Sequence, residues 1–594
     1  MQQKPAGQLV GDIRDARTGR PLPARVKVMD GAGTEPGSML AGVGFWCDGA
    51  FSVPVLPGHV AVEVSAGRRR AVDIRQVRVD PGRSVTHRVD LNAPEPLAFE
   101  KRGWFGVDLF RPVGTGGRLR ADVTLTLMAL AARAEGVAFC GAASPWGTAH
   151  AADPDVDLDE ARKLCEGLSG EDLALAPVGR GSDAPMYGSL IHMGAHYSQR
   201  IAPMRWDWHW PNFLAIEEAR AQGAVTILVD VAAAHEVDPY SQIVALKPGL
   251  AAFYSDAPVA LAGVASELPF DVVSGMLPDA LALSGSDEDQ AVWFRLLMMG
   301  YRIPAVHVGK VSFAAGMPPA ERTFVKLAPG ERPTEETVAA AVRAGRVMGS
   351  TGPFVFLTID GKDPGAVLTA DDAAHTLRIE ALSSTEKNGA IARLELVRDG
   401  ETVEDIPGQG QTVMLIEKDI RVSGTSWFIA RLRAESGTVA WTSPIYFEGK
   451  DRAAPRPVTT RVTGRVTEAR FLKEGPPLEA TVTAFLQGRA IATAKSDPGT
   501  GEYALQAPPA ARLDVSAEGY AGASTRVFFH TQAPDEIRAI HVNASGRGAA
   551  VLAAAETYER MRLACATAAI DFQLAKAPLK KAPPAGAGSN PAGQ

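Results

Sequence analysis

Between Trp104 and Trp146 the sequence WFGVDLFRPVGTGGRLRADVTLTLMALAARAEGVAFCGAASPW leaves little choice of local structure. Trp104 to Pro112 reads as a strand, and the Gly-rich stretch after it as a turn. Leu125, Leu127, Leu130 and Ala131 then recur at helical spacing. VAFCGAA is a short, wholly apolar run of the kind found in buried strands. Strand, helix and strand in this order predict a parallel pair, and parallel sheets carry their chemistry at the strand C-termini. Phe110, Arg111 and Pro112 stand at the first such end, Ser144 and Pro145 at the second. None of the five is a good metal ligand or general base.

The flanks have a different rhythm. Residues 1–95 alternate apolar and polar positions in short runs broken by Thr18-Gly19, Pro21 and a Pro-Gly turn, which predicts an antiparallel β-sandwich. The pattern returns at 456–545. TGRVTEARFLKEGPPLEATVTAF parallels GQLVGDIRDARTGRPLPARVKV, with Pro477-Leu478 answering Pro21-Leu22, and both copies later carry VSA. Residues 351–450 form a further β-region. AAVLAAAETYERMRLACATAAIDFQLA is rich in helix formers and predicts one helix over 546–577, ended by Pro578. The tail at 578–594 has a composition that predicts disorder.

With 594 residues the chain has room for several domains, and 46% hydrophobic with 22% charged residues is ordinary for globular protein. A net charge of -7 gives no general attraction to nucleic acid. No apolar run reaches the length of a membrane span. The opening MQQKPAGQLVG lacks the apolar core of a signal peptide. Cys47, Cys140, Cys165 and Cys565 have no metal-type spacing and do not suggest a disulfide framework.

Residues 96–350 resemble the PHP superfamily (polymerase and histidinol phosphatase), in its CehA/McbA-type metallohydrolase branch. Such domains open with W-Y-x-G-D-L-H-V-H-T, and Trp104, Phe105, Asp108 and Leu109 match while Phe110 and Pro112 stand at the two histidines. Gly136, Val137 and Phe139 match the second motif, with Ser144 and Pro145 at its Asp-His pair. Downstream, Asp230 falls at a histidine, and Lys310 and Ser312 fall at an Asp and a His. A family glutamate aligns near Arg180 or Gly181, and a histidine at Ser189. Arg322, Gly345, Arg346, Gly352 and Pro353 match the family's exit from the barrel. The flanking copies resemble carboxypeptidase-regulatory, transthyretin-like sandwiches.

The resemblance implies a multi-domain chain: a central α/β PHP-like (β/α)7-type barrel, three all-β sandwich domains and a C-terminal helix. It implies an exported protein, by architecture rather than by a leader motif. PHP catalysis needs His and carboxylate ligands that hold divalent ions and activate water. Here Asp230 alone among the aligned positions could coordinate. Lys310 would repel a cation by about 4 kcal/mol per unit-charge pair at ~4 Å and an effective dielectric of ~20. The expectation is therefore a non-catalytic member with no cofactor, its pocket lined by Asp108, Phe110, Arg111, Ser144, Ser189, His192, Asp230, Lys310 and Ser312. The competing expectation is an active hydrolase of phosphoester, ester or amide bonds, holding Zn, Mn or Fe.

Other residues carry weaker signals. His192 and His196 are four apart, but Gly194 lies between them, so hydrogen-bonded structural histidines are the plainer reading, as for His235 and His307. In RWDWHWPN an extended chain would put Trp206, Trp208 and Trp210 on one face, able to stack on a saccharide or to pack on the barrel rim. A protein ligand is the other partner expected. Arg68, Arg69, Arg70, Arg75, Arg78 and Arg83 read as solvated strand faces or as an anion site. Ser384 and Lys387 fit S-x-x-K without a companion motif, and no phosphate-binding Gly-rich loop occurs.

Overall fold

The computed structural model describes residues 6–38, 43–92, 99–112, 121–143, 158–182, 189–194, 212–229, 231, 268–308, 322–383, 388–450, 458–471, 473, 475–532 and 562–577. The chain is multi-domain and mostly β, and it divides into two compact units. One comprises Met1–Leu268, Pro278–Pro455 and Asn543–Ala554; the other comprises Pro269–Leu277, Arg456–Val542 and Ala555–Gln594.

The first unit opens with β1 (Gly7–Asp15), β2 (Pro23–Met29), β3 (Phe45–Asp48), β4 (Ala50–Val55), β5 (Gly58–Ser65), β6 (Asp73–Val79) and β7 (Ser84–Leu91). They make two sheets, ordered β4-β1-β7 and β3-β2-β5-β6. Their alternating residues, among them Leu9, Ile13, Val26, Val53 and Val62, fill one core. β7 runs parallel to β1, pairing Ser84–Leu91 with Gln8–Asp15.

The strand–helix–strand reading holds. β8 (Trp104–Pro112), α1 (Ala121–Ala134) and β9 (Phe139–Ala143) follow in order, and β8 and β9 pair in parallel. Leu125, Met128, Ala129 and Ala132 bury themselves on Cys140 and Ala142, whereas Leu127 and Leu130 are half-buried. The buried stripe is therefore rotated slightly from the one expected. Next come α2 (Leu158–Leu168), β10 (Ala174–Ser182), β11 (Ser189–Met193), α3 (Asn212–Ala221), β12 (Val225–Val229) and β13 (Ala280–Ala282), with α4 (Leu268–Ser274) before β13 in sequence but counted from Pro269 on in the second unit. The region ends with α5 (Asp287–Met298), β14 (Ala305–Val306), β15 (Thr323–Lys326), α6 (Glu335–Arg343) and β16 (Val347–Ser350). The strands run β14-β13-β12-β11-β10-β9-β8-β15-β16 within one sheet. β8, β9 and β10 are mutually parallel, as are β12, β13 and β14, while β11 is antiparallel to both its neighbours. The first β-region rests on the end of α1: Gly67 N donates to Ala134 O at 3.0 Å, and Arg69 Nη2 to Gly136 O at 3.3 Å.

The same sheet continues into the third β-region. This region contains β17 (Phe354–Ile359), β18 (Val367–Thr369), β19 (Ala374–Leu382), β20 (Ile391–Arg398), β21 (Glu401–Pro407), β22 (Val413–Arg421), β23 (Ser426–Ala434), β24 (Val439–Thr442) and β25 (Ile445–Glu448). β16 pairs with β24, and the order runs on through β23 and β20 to β21; with β25 on β23 and β18 on β25, the sheet has 15 strands among the described residues. β17, β19 and β22 form the facing layer. Phe99, Trp104, Phe324 and Met348 join Phe354, Phe356, Phe428 and Phe447 in the core between them.

The second unit repeats the first sandwich. β26 (Thr460–Glu468), β27 (Thr481–Leu486), β28 (Arg489–Lys495), β29 (Glu502–Ala507), β30 (Arg512–Ser516) and β31 (Ala523–Arg526) form sheets ordered β29-β26 and β28-β27-β30-β31. The helix expected over 546–577 does not reach its expected end. β32 (Thr567–Ala569) and β33 (Phe572–Leu574) occupy its last part and pair in parallel with β26. Ala568, Ile570, Phe572 and Leu574 are buried at every second position, a strand period that the helix-forming alanines upstream obscured. Residues 546–561 and the tail at 578–594 lie outside the described residues.

Candidate functional site

Asp108 is the only acidic residue in β8, and it is fully buried. Pairing to β9 slips between Asp108 and Arg111, a bulge that re-aims the strand end. Phe110, within the bulge, is 1% exposed and shares a core with Val178, Met193 and Val229. Across the sheet, β15 runs antiparallel to β8 and pairs Thr323 with Val107. Arg322 therefore arrives beside Asp108: its backbone N donates to Val107 O at 3.2 Å, and its Nε lies 4.0 Å from Asp108 Oδ2.

Thr323 joins this pair to His307. One hydroxyl accepts from His307 N at 3.0 Å and donates to His307 O at 2.8 Å. His307 Nδ1 donates to Leu283 O at 2.8 Å, which fixes the tautomer, and its ring meets Trp441 edge-on at 5.7 Å. Burial pushes the imidazole down to about 3, and the Arg322 and Arg68 guanidinium charges push the same way. It is thus neutral at any ordinary pH. The arrangement is a buried carboxylate beside a guanidinium, next to a neutral imidazole whose own backbone is held by the Thr323 hydroxyl.

His192 belongs elsewhere. It lies three strands from Asp108 in the sheet order, and its neighbours Ile191 and Met193 are the residues that enter the shared apolar core. Burial lowers it to about 4, opposed by the charge of Asp279. Asp279 in turn accepts from Thr226 N at 2.8 Å and from Arg220 Nη2 at 3.2 Å. By alternation His192 and Asp108 both point away from the core that their strand neighbours enter, but β9 and β10 lie between their strands.

Arg111 and Ser189 are placed as strand residues, with side chains outside the described set. Ser144, Pro145, Trp206, Trp208, Trp210, Asp230, Lys310, Ser312, His196, His235, Ser384 and Lys387 lie outside the described residues. Among the described residues no three His, Cys, Asp or Glu side chains converge. Among the described residues, Phe110 offers no donor, His307 Nδ1 is spent on a carbonyl, and Asp108 lies beside a guanidinium. The basic run of the first region is largely paired, Arg69 with Glu100, Arg70 with Asp15 at 2.8 Å, Arg75 with Asp73 at 3.0 Å and Arg78 with Asp80 at 3.3 Å. Arg322, Thr323 and His307 were not expected as site residues. The signal for them is a His in the apolar run PAVHV and an Arg opening the strand RTFV.

No family model matches the chain, and no curated protein does. Among solved structures, the major pilin subunit BcpA of Bacillus cereus matches at 10% identity, over 39% of this chain and 72% of that one, with a TM-score of 0.13. A variant of the same pilin matches over 30% of this chain and 64% of its own length. Fibronectin(III)-like modules of Clostridium thermocellum CbhA match at 11% identity over 28% of this chain and 90% of that one, with a TM-score of 0.12. Scores this low carry no argument about fold or function. Among the described residues no helix is long and apolar enough to cross a membrane.

Proposed function

We propose that this chain is a non-catalytic relative of the CehA/McbA-type PHP metallohydrolases, exported, whose central region serves as a binding or assembly platform for a saccharide or protein ligand. Phe110 is the observation that supports it most. Where the family resemblance calls for a metal-binding histidine stands a phenyl ring buried in the apolar core that also holds Val178, Met193 and Val229. The two parallel triplets β8-β9-β10 and β12-β13-β14, with β14 returning beside β15 through the Thr323–His307 bonds, support a (β/α)7-type barrel.

A platform of this kind binds without turning over, so metal analysis paired with turnover of a generic phosphodiester and a generic ester tests it. Purified protein should carry zinc, manganese and iron well below one equivalent and leave both substrates intact. Stoichiometric metal with turnover would establish the active hydrolase instead. For a saccharide ligand, Trp206→Ala with Trp208→Ala should weaken binding without lowering stability; unchanged binding and lower stability would make these indoles core.

A further inference from the structure

We infer that His375 and Asp371, with Asp360 behind the imidazole, hold an exchangeable zinc ion at one corner of the third β-region. His375 is the second residue of β19, Asp371 lies four residues before it, and Asp360 directly follows β17. The histidine is 8% exposed, and its ring stands edge-on to Phe447 at 4.8 Å. Its Nδ1 donates to Asp360 Oδ2 at 2.7 Å. Asp360 is fixed in turn, since its Oδ1 accepts from Thr376 N at 2.9 Å, and the bond from His375 holds its carboxyl below the ordinary range. A neutral imidazole that donates from Nδ1 has its lone pair on Nε2. This is the tautomer that ligates a metal, with a carboxylate orienting the ring from behind.

Nε2 itself is the decisive atom. It is buried and makes no hydrogen bond, although buried polar atoms are normally paired. It stands 3.5 Å from Asp371 Oδ1. That is too long for a good N–H···O bond, which spans ~2.7–3.2 Å. Two ligands each ~2.0–2.2 Å from a tetrahedral zinc stand about 3.4 Å apart. The gap therefore suits an ion between the two atoms better than a shared proton. The Asp371 side chain is 55% exposed, which opens the gap to solvent, and its Oδ1 is steadied by Ala373 N at 3.0 Å. The neighbouring Arg421 Nη1 is occupied by Asp372 O at 3.0 Å. Imidazole with carboxylate is a donor set that suits zinc.

Among the described residues no three such side chains converge, so the ion has two protein ligands here and water in the rest of its shell. An ion held by two side chains leaves during purification and returns when zinc is added. The corner uses no residue of the central region, so the outcome here leaves the non-catalytic reading of that region where it stands. What the ion would add is a clasp. It would join the residues before β19 to β19 itself and, through Asp360, to the end of β17.

Zinc chloride titrated into the full chain, stripped with chelator and dialysed, tests the inference by calorimetry together with amide exchange. Wild type should take up an equivalent of zinc that depends on this corner. Asp371→Asn and His375→Gln should each weaken that uptake about tenfold or more, and Asp360→Asn by about 10–100-fold, as loss of an orienting carboxylate does. His59→Gln, at an exposed histidine in the first sandwich, should leave it unchanged. Zinc should also slow exchange of the Ala373 and Thr376 amides, which donate to Asp371 and Asp360. No uptake, or equal uptake by wild type and Asp371→Asn, would mean that the imidazole is merely clamped between two carboxylates, and the inference falls. Uptake that leaves those two amides unslowed overturns it as well. Should His375→Gln fail to fold, the exposed Asp371→Asn and the wild-type exchange decide.

Discussion

Trp441 lies so close over Gly349 that a Cβ at 349 would sit inside the indole ring. The two residues are paired across β16 and β24, where the central strands pass into the third β-region. Gly349→Ala must therefore push Trp441 off its seat. It should destabilise the first unit by about 1–3 kcal/mol, as overpacking of a filled core does, and lower its unfolding temperature in calorimetry. An unchanged melting temperature would show that the indole is free to move.

Arg322 stands beside Asp108 in surroundings that expose the arginine side chain by 10% and the aspartate not at all. Removing the guanidinium leaves a carboxylate with less compensation than burial demands. Arg322→Ala should cost about 3–5 kcal/mol in urea unfolding, and combining it with Asp108→Asn should recover much of the loss. Additive costs would mean that the two charges do not interact.

His307 and His192 both stay neutral in the fold, held by burial down to about 3 and about 4. An unfolded histidine takes up its proton near pH ~6.5. As pH falls below that value the unfolded chain binds protons that the folded chain refuses, so stability is full above pH ~6.5 and declines toward pH 4. The slope approaches about 1.4 kcal/mol per pH unit for each histidine. His307→Asn can keep the donor to Leu283 O and should flatten the acid limb of a urea-midpoint profile. A profile identical to wild type would refute this assignment.

Phe110 fills core space, and its role can be separated from metal chemistry. Phe110→Ala should cost about 3–5 kcal/mol. Phe110→His, which restores the residue type that the family motif calls for, should also destabilise and should leave bound metal unchanged in elemental analysis. A gain of one equivalent would show a latent site.

Much of the fold could be read before any coordinates. The alternation in GQLVGDIRD and its echo in TGRVTE announced the two sandwiches, and the spacing around Leu125 announced α1. The end of the helix expected over 546–577 was misread because the alanines and long side chains before Cys565 favour a helix, whereas Ile570, Phe572 and Leu574 answer to an open edge on β26. Only tertiary structure creates that edge. The site was half legible. Asp108 and Phe110 stood out by motif, but Arg322 and His307 reach Asp108 only because β15 returns antiparallel to β8, a pairing between residues far apart in sequence. The separation of His192 from Asp108 by β9 and β10 was not legible for the same reason, since spacing along the chain says nothing about strand order.

Because β16 hands its hydrogen bonds directly to β24, residue 350 is no natural place to divide this protein. A fragment severed there would end in a raw strand, Val347–Ser350, with its outer amides and carbonyls stripped of their mates. Such a border invites any other extended chain to lie down along it, so the piece would carry a route to aggregation that pairing with β24 closes in the whole protein.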